Sequence, residues 1–472
     1  MEFSNTKPHV ALLSSPAHLT PMVELGKRLV TYQNVKVTTF VTSFLGSAAT
    51  ISRMVQSAQS EKLFDVIQLP PADISGLISP GQTGLASLPA VVRVSEPAFR
   101  SAICALETPP TALVAHVYAV DCLGIADELK IPKFVYMSSH AWYLALFLYV
   151  PILDKNVGGE LGDDDQKEPF VLPGCTPVRP EDLPDPMLVQ TKNNYLELIR
   201  MATEIPKADG ILVNTWEELQ PTTLAALRDD KLLGSVAKAP IFPIGPVTAE
   251  GAVGSKSELS GWLDKQPNES VLYISFGSMG ALSLEQMTEL AWGLELSQQR
   301  FIWVVRPPTT KTGIGSVPKF GFDVNDTSTY LPEGFMSRTH GKGLVVPQWA
   351  PQVEILSHPS CGGFFTHCGW NSAMECISNG LPMIAWPLYA EQRMNATMLT
   401  EELGIAVRSK TLPSKGVVGR EEIETMVKKI FVDEEGGKIR GRVKELKLSA
   451  EKAWSQGGSS YNALAEMVKQ CT

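Results

Sequence analysis

Short apolar runs alternate with longer amphipathic ones along the whole chain. Residues 9–14 are mostly apolar, and 20–32 then place Met22, Leu25, Leu29 and Val30 at helical spacing, with Pro21 tolerated in the first turn. The β-branched stretch 35–41 predicts a second strand, and 112–117, 133–137 and 210–214 repeat the pattern. A second series starts after residue 254. It predicts strands at 270–276, 301–305, 343–346, 363–366 and 383–386, with helices at 283–296, 371–379, 391–402, 420–432 and 437–455. Strands separated by helical segments imply parallel βαβ units.

Between the two series, residues 239–254 carry Pro240, Pro243 and Pro246 followed by glycines, which reads as a domain linker. The stretch 306–333, rich in Pro, Gly and Thr, predicts a surface insertion. The longest apolar run, 141–153, is too short to cross roughly 30 Å of hydrocarbon. It predicts a buried helix in which Trp142, Leu144, Phe147 and Leu148 line an apolar pocket, with Ser139 and His140 as its polar edge.

Composition narrows the class. A chain of 472 residues exceeds one ordinary core, so two domains are expected. With 44% hydrophobic and 19% charged residues it is ordinary globular protein. A formal charge of −9 argues against a nucleic-acid surface, which needs clustered Lys and Arg. Seven scattered cysteines without a CxxC pair predict reduced thiols in a cytoplasmic protein. Cys361 and Cys368 flank His367, but no second ligand pair follows, so no metal is expected. The N-terminus shows no basic-then-apolar leader pattern.

Chemistry concentrates in the 44 residues 349–392, which read WAPQVEILSHPSCGGFFTHCGWNSAMECISNGLPMIAWPLYAEQ. An indole face at Trp349 suits stacking on a planar base. In THCGWNS a strand ends and a helix begins, so free backbone N–H groups and the helix dipole favour a diphosphate. His367, Asn371 and Ser372 add donors there, and Gly369 permits close approach. Glu375 lies one helical turn beyond Asn371 and can accept two ribose hydroxyls. No P-loop spacing occurs at Gly251, and no GxGxxG follows the first strand, which disfavours a dinucleotide dehydrogenase.

The segment resembles the nucleotide-sugar signature of the plant UDP-dependent glycosyltransferases. The resemblance implies a GT-B type α/β fold, two Rossmann-like domains facing a cleft. Residues 1–240 would bind the acceptor, 255–458 the UDP-sugar, and the helix 459–472 would cross back to the first domain. It implies that Trp349 stacks on uracil while Gln352 and its neighbours read the base edge. Glu375 would hold the ribose, Glu391 and Gln392 the hexose, with Gln going with glucose. Trp370 would neighbour the sugar through its backbone, and Ser278 would be a second phosphate-side donor or a plain turn residue. The donor substrate would be UDP-glucose, with no cofactor and no metal. The acceptor would be a phenol or flavonoid, joined through oxygen or carbon. A monomer with small-molecule partners, no nucleic acid and no membrane span completes the expectation.

Inverting transfer needs a base on the acceptor hydroxyl, and an imidazole suits that near neutral pH. The family carries a His in a Gly-x-Gly-His-x-x-Pro loop after its first strand. Here the loop reads SSPAHLTP, so His18 matches but both glycines are missing. The family's Asp, which orients that His as a triad carboxylate does, is replaced by His116. Asp121, five residues on, could substitute if the local turn brings it round. A UDP-sugar-binding protein with weak or no catalysis is therefore the second reading.

Overall fold

A computed structural model describes residues 7–44, 48–60, 62–77, 87–157, 168–188, 192–249, 257–310, 312 and 326–471. The chain divides into two compact units. The first comprises Met1–Pro177, Pro186–Thr248 and Ala450–Thr472, and the second Val178–Asp185 and Ala249–Ser449.

The first unit is built on a seven-stranded parallel sheet. Its strands are β1 (His9–Ser14), β2 (Lys36–Val41), β3 (Asp65–Gln68), β4 (Ala112–His116), β5 (Lys133–Met137), β6 (Gly210–Val213) and β7 (Ile241–Pro243). They lie in the order β3-β2-β1-β4-β5-β6-β7. β1 and β4 are buried at every position, as parallel strands covered on both faces must be. Val10, Leu12, Val114 and Phe134 pack with Met22, Leu25 and Leu29 of the Leu19–Gln33 helix, and with Leu464 and Met467 of the Ser459–Lys469 helix. Trp454 adds an indole whose Nε1 donates to the Pro246 carbonyl at 2.9 Å and whose ring stacks on Tyr32.

The second unit carries β8 (Val271–Ser275), β9 (Arg300–Val305), β10 (Gly343–Pro347), β11 (Cys361–Thr366), β12 (Met383–Ala385) and β13 (Ala406–Arg408). Their order is β10-β9-β8-β11-β12-β13, again all parallel. Leu272, Ile274, Phe365 and Ile384 form its core with Leu290, Leu294 and Met426. In each sheet the strand order reverses once, between β1 and β4 and between β8 and β11. Crevices at the carboxyl ends of such strands are where open α/β sheets bind ligands.

Three expectations change. The proline-rich linker begins with a strand, because β7 pairs with β6 as an outer strand, where Pro243 breaks no ladder on its open side. Residues 250–254 of that linker lie outside the described residues. Trp142, Leu144, Phe147 and Leu148 are fully buried on the Ala141–Val157 helix, so they are core and offer an acceptor no surface. A helix apolar all round is an interior helix. In the 306–333 stretch, residues 311 and 313–325 lie outside the described residues, but Thr309, Tyr330 and Leu331 are buried. Its two ends are therefore core. Among the described residues, no helix is long and apolar enough to cross a membrane.

Candidate active site

In the first unit the two central strands deliver two imidazoles to one place. Pro16–His18 forms a single 3-10 turn straight after β1, in which His18 N–H donates to the Ser15 carbonyl at 3.1 Å. His116 is the last residue of β4, the neighbour of β1. The rings stack at 4.3 Å between centroids and 22° between planes. His18 Nδ1 lies 3.0 Å from Ser15 Oγ. The Tyr118 backbone N–H donates to His116 Nδ1 at 3.4 Å, so Nε2 carries the proton and donates to Ser138 Oγ at 2.8 Å. Burial pulls the His18 imidazole down to about 4, and burial together with the charge of His18 pulls His116 well below its ordinary value. Two stacked imidazoles cannot share two protons in a low-dielectric site.

Asp121 is drawn away from this pair. It lies in the Val117–Cys122 turn, where it pairs with Arg200 and with Arg93 at 3.4 Å. Glu197 joins the same cluster through Arg93 and Arg200, each at 2.8 Å. Burial raises the Asp121 carboxyl above its ordinary value despite both guanidinium groups. Its partners are thus arginines, and the turn does not bring it to His18.

In the second unit the residues of the 349–392 segment gather at the carboxyl ends of the central strands. Trp349, which follows β10, is 73% exposed, so its indole face is open. Gln352 opens the Gln352–Ser357 helix, and its Nε2 donates to Ser372 Oγ at 2.9 Å and to Glu375 Oε2 at 2.7 Å. Ser372 and Glu375 lie on the Trp370–Asn379 helix, one turn apart and both buried. An ionised carboxylate offers several lone pairs, so one that accepts from an amide can also accept from hydroxyl donors. Asn371 Oδ1, shielded from water, has no partner among the described residues.

His367 directly follows β11 and packs between Gly277 and Gly369. A Cβ on Gly277 or Gly369 would stand 2.4 or 2.5 Å from its Nε2, and Gly277 has φ +75°. Only glycine fits at either place. Burial lowers the His367 imidazole to about 4, with the Arg306 charge adding and the Ser275 carbonyl opposing. His367 is therefore a neutral hydrogen-bonding group. Trp370 is buried at the first position of the helix, and Ser278 is exposed in the turn after β8.

Arg306 was not singled out by the motif. It follows β9, and its guanidinium donates to the Gly280 and Gln348 carbonyls at 3.1 and 3.4 Å. No carboxylate pairs with it among the described residues, and burial pulls its pKa down. A cation half-buried beside His367 without an anion is a place for one.

The closing residues are held from outside the motif. Gln392 Oε1 accepts the Leu388 and Tyr389 backbone N–H groups at 3.0 and 3.1 Å, so only its NH2 side remains to meet a sugar. Glu391, its carboxyl raised by burial, accepts from Asn395 Nδ2 at 3.4 Å. Asp185 accepts the Ala390 N–H at 2.6 Å and pairs with Arg393. Asp182, fully buried, accepts from Arg408 at 2.8 and 3.0 Å, Arg179 at 2.8 Å and Thr397 at 3.0 Å. The Val178–Asp185 strip is thereby fastened to the loop carrying Glu391 and Gln392. Among the described residues no cluster of His, Cys, Asp and Glu could hold a metal ion.

This arrangement matches known proteins. A family profile described as UDP-glucoronosyl and UDP-glucosyl transferase matches residues 240–435. Anthocyanidin 3-O-glucosyltransferase 5 of Manihot esculenta is 57% identical over 98% of this chain and 95% of its own. Hydroquinone glucosyltransferase of Rauvolfia serpentina is 42% identical over 98% and 97%. The crystal structure of TcCGT1 in complex with UDP superposes with a TM-score of 0.90, at 45% identity and 99% coverage of both chains. The chain belongs to the plant UDP-dependent glycosyltransferases and has their GT-B fold. It is a transferase, so of the two readings left by the sequence the comparisons carry the catalytic one.

Proposed function

We propose that this protein transfers glucose from UDP-glucose, with inversion, to a small aromatic acceptor. The observation that carries the donor half is the Gln352–Ser372–Glu375 network at the start of the Trp370–Asn379 helix. In this reading Trp349 stacks on uracil, and Glu375 takes the ribose hydroxyls. The helix N-terminus, His367, Asn371, Ser372 and Ser278 take the diphosphate, and Arg306 supplies the positive charge that a metal ion would otherwise bring. Glu391 and the Gln392 amide nitrogen hold the hexose, while Trp370 borders it.

His18 is the base in this reading. Ser15 Oγ accepts from Nδ1–H, which leaves the Nε2 lone pair for the acceptor hydroxyl. As the proton moves to Nε2, the acceptor oxygen bonds to the anomeric carbon. The bond from that carbon to the diphosphate oxygen breaks, and its electron pair leaves with UDP. An aromatic acceptor is supported by the relatives, whose names specify anthocyanidin and hydroquinone glucosylation. The test is incubation with UDP-glucose and a panel of phenols and flavonoids, following UDP release and product mass. Acid hydrolysis of the product separates O- from C-linkage. No glucoside from any member would overturn the proposal.

A further inference from the structure

Resting on that reading, we propose that the protein selects acceptors whose reacting hydroxyl is already acidic, because His18 faces a stacked neutral imidazole where a carboxylate would be needed to steady its charged form. The groups around His18 can be named. Ser15 Oγ lies on Nδ1, the His116 ring covers one face, and the Tyr118 ring lies at 5.0 Å and 52°. Behind His116 stand Ser138 on its Nε2 and the Tyr136 ring, edge-on at 6.4 Å. None of these is an anion at neutral pH, and the buried carboxylate on the following helix, Glu24, whose charge reaches Tyr136, pairs with Lys27 at 2.9 Å. The nearest carboxylate by sequence on that turn, Asp121, belongs to Arg200 and Arg93.

His116 cannot take the missing part. Both of its nitrogens are engaged, one accepting from a backbone N–H and the other donating to a hydroxyl, which fixes a neutral tautomer. A proton arriving on His18 therefore creates a cation with a π face and a serine hydroxyl for company. Such partners stabilise an imidazolium far less than a buried carboxylate does. The same burial that excludes water leaves His18 a weak base.

General-base catalysis follows the match between the base and the proton it must take. With a weak base, a phenol of ordinary acidity gives up its proton late and incompletely. An acidic phenol, or one already ionised, needs little from His18 beyond a hydrogen bond. The balance of the step is unchanged: the proton leaves the hydroxyl for Nε2 or, beforehand, for water, and the phenolate oxygen displaces UDP from the anomeric carbon. Selection by acidity means that charge withdrawn into the acceptor ring supplies what the missing carboxylate does not.

The test is a series of 4-substituted phenols (methyl, hydrogen, chloro, cyano, nitro) at saturating UDP-glucose, with kcat/KM measured between pH 6 and 9. The proposal expects kcat/KM at neutral pH to rise along the series by about tenfold or more, equivalent to roughly 1.4 kcal/mol of barrier. For the less acidic members it expects the rate to climb with pH as the phenol ionises. His18→Ala should cost phenol about 10²-fold and 4-nitrophenol clearly less. His116→Asp should raise turnover of phenol and flatten the series. If that variant does not fold, the wild-type series alone decides. A flat or falling series, with a pH profile set by one group common to all acceptors, would overturn the inference while leaving the transferase reading intact. Absence of UDP release with every phenol would overturn the inference, and absence with the flavonoids as well would overturn both.

Discussion

The carboxylate of Glu375 is the residue on which donor affinity should turn. Buried beside Ser372, it accepts from the Gln352 amide, and a ribose diol would add two hydroxyl donors to the same carboxylate. Glu375→Ala is expected to weaken UDP binding by about 1–3 kcal/mol, read by calorimetry on a folded variant. An unchanged affinity would take Glu375 out of the site. Arg306→Met should weaken UDP more than UMP, because the guanidinium answers the diphosphate charge, and the UDP loss should shrink at high salt. The 349–392 residues stood out in the sequence as one contiguous segment resembling a known signature, and the structure gathers them at the ends of β10, β11 and β12. Arg306 was not, since it stands outside that segment and only the fold sets it beside His367. Asp121 misled for a local reason: five residues along a strand-to-turn segment can face either way, and here two arginines decide it.

Among the elements, the strip Val178–Asp185 most affects how the donor loop is held. Burial alone would raise the Asp182 carboxyl, but Arg408 and Arg179 outweigh it and hold the pKa below the ordinary carboxylate range. A depressed carboxylate stabilises the fold above the unfolded pKa of about 3.9, and that stability is lost as pH falls through the lower folded value. The second unit should therefore weaken below about pH 4 in the native protein, and Asp182→Asn should remove that part of the acid dependence. Asp182→Ala should lower stability by about 3–5 kcal/mol, since Arg408 is left partly buried without its anion. Urea unfolding followed by Trp fluorescence at several pH values measures both. Strand positions in both series were legible because parallel strands buried on two faces read as short apolar runs. The outer strands β3, β7 and β13 were not: β3 and β13 are only four and three residues long, and the prolines of β7 carry the signal of a linker. The Ala141–Val157 helix was legible as buried, but periodicity cannot tell a pocket wall from a core.

At the scale of the molecule, the first unit is assembled from three separate stretches, and the last of them is Ala450–Thr472. Trp454 packs there against Tyr32 and against Arg28, whose guanidinium lies 4.8 Å from its ring, and Ser460 Oγ donates to the Gly245 carbonyl at 2.5 Å. Trp454→Ala should cost this unit about 3–5 kcal/mol. Hydrogen exchange should then rise in β1 and β6, while UDP affinity, which depends on the other unit, holds. A two-domain α/β architecture was legible from the repeated alternation of runs. The strip at 178–185 carries no signal of its allegiance, because ion pairs such as Asp182–Arg408 join residues more than two hundred positions apart. The discontinuity also bears on synthesis. A ribosome delivers residues in order, and domains generally fold as they emerge. Here the opening stretch must wait with β1 and the Leu19–Gln33 helix incompletely covered until Trp454, Leu464 and Met467 have been made. Through that interval its apolar surface is exposed to chaperones and to other nascent chains, so a ribosome stalled anywhere before residue 450 would leave a first unit that cannot close.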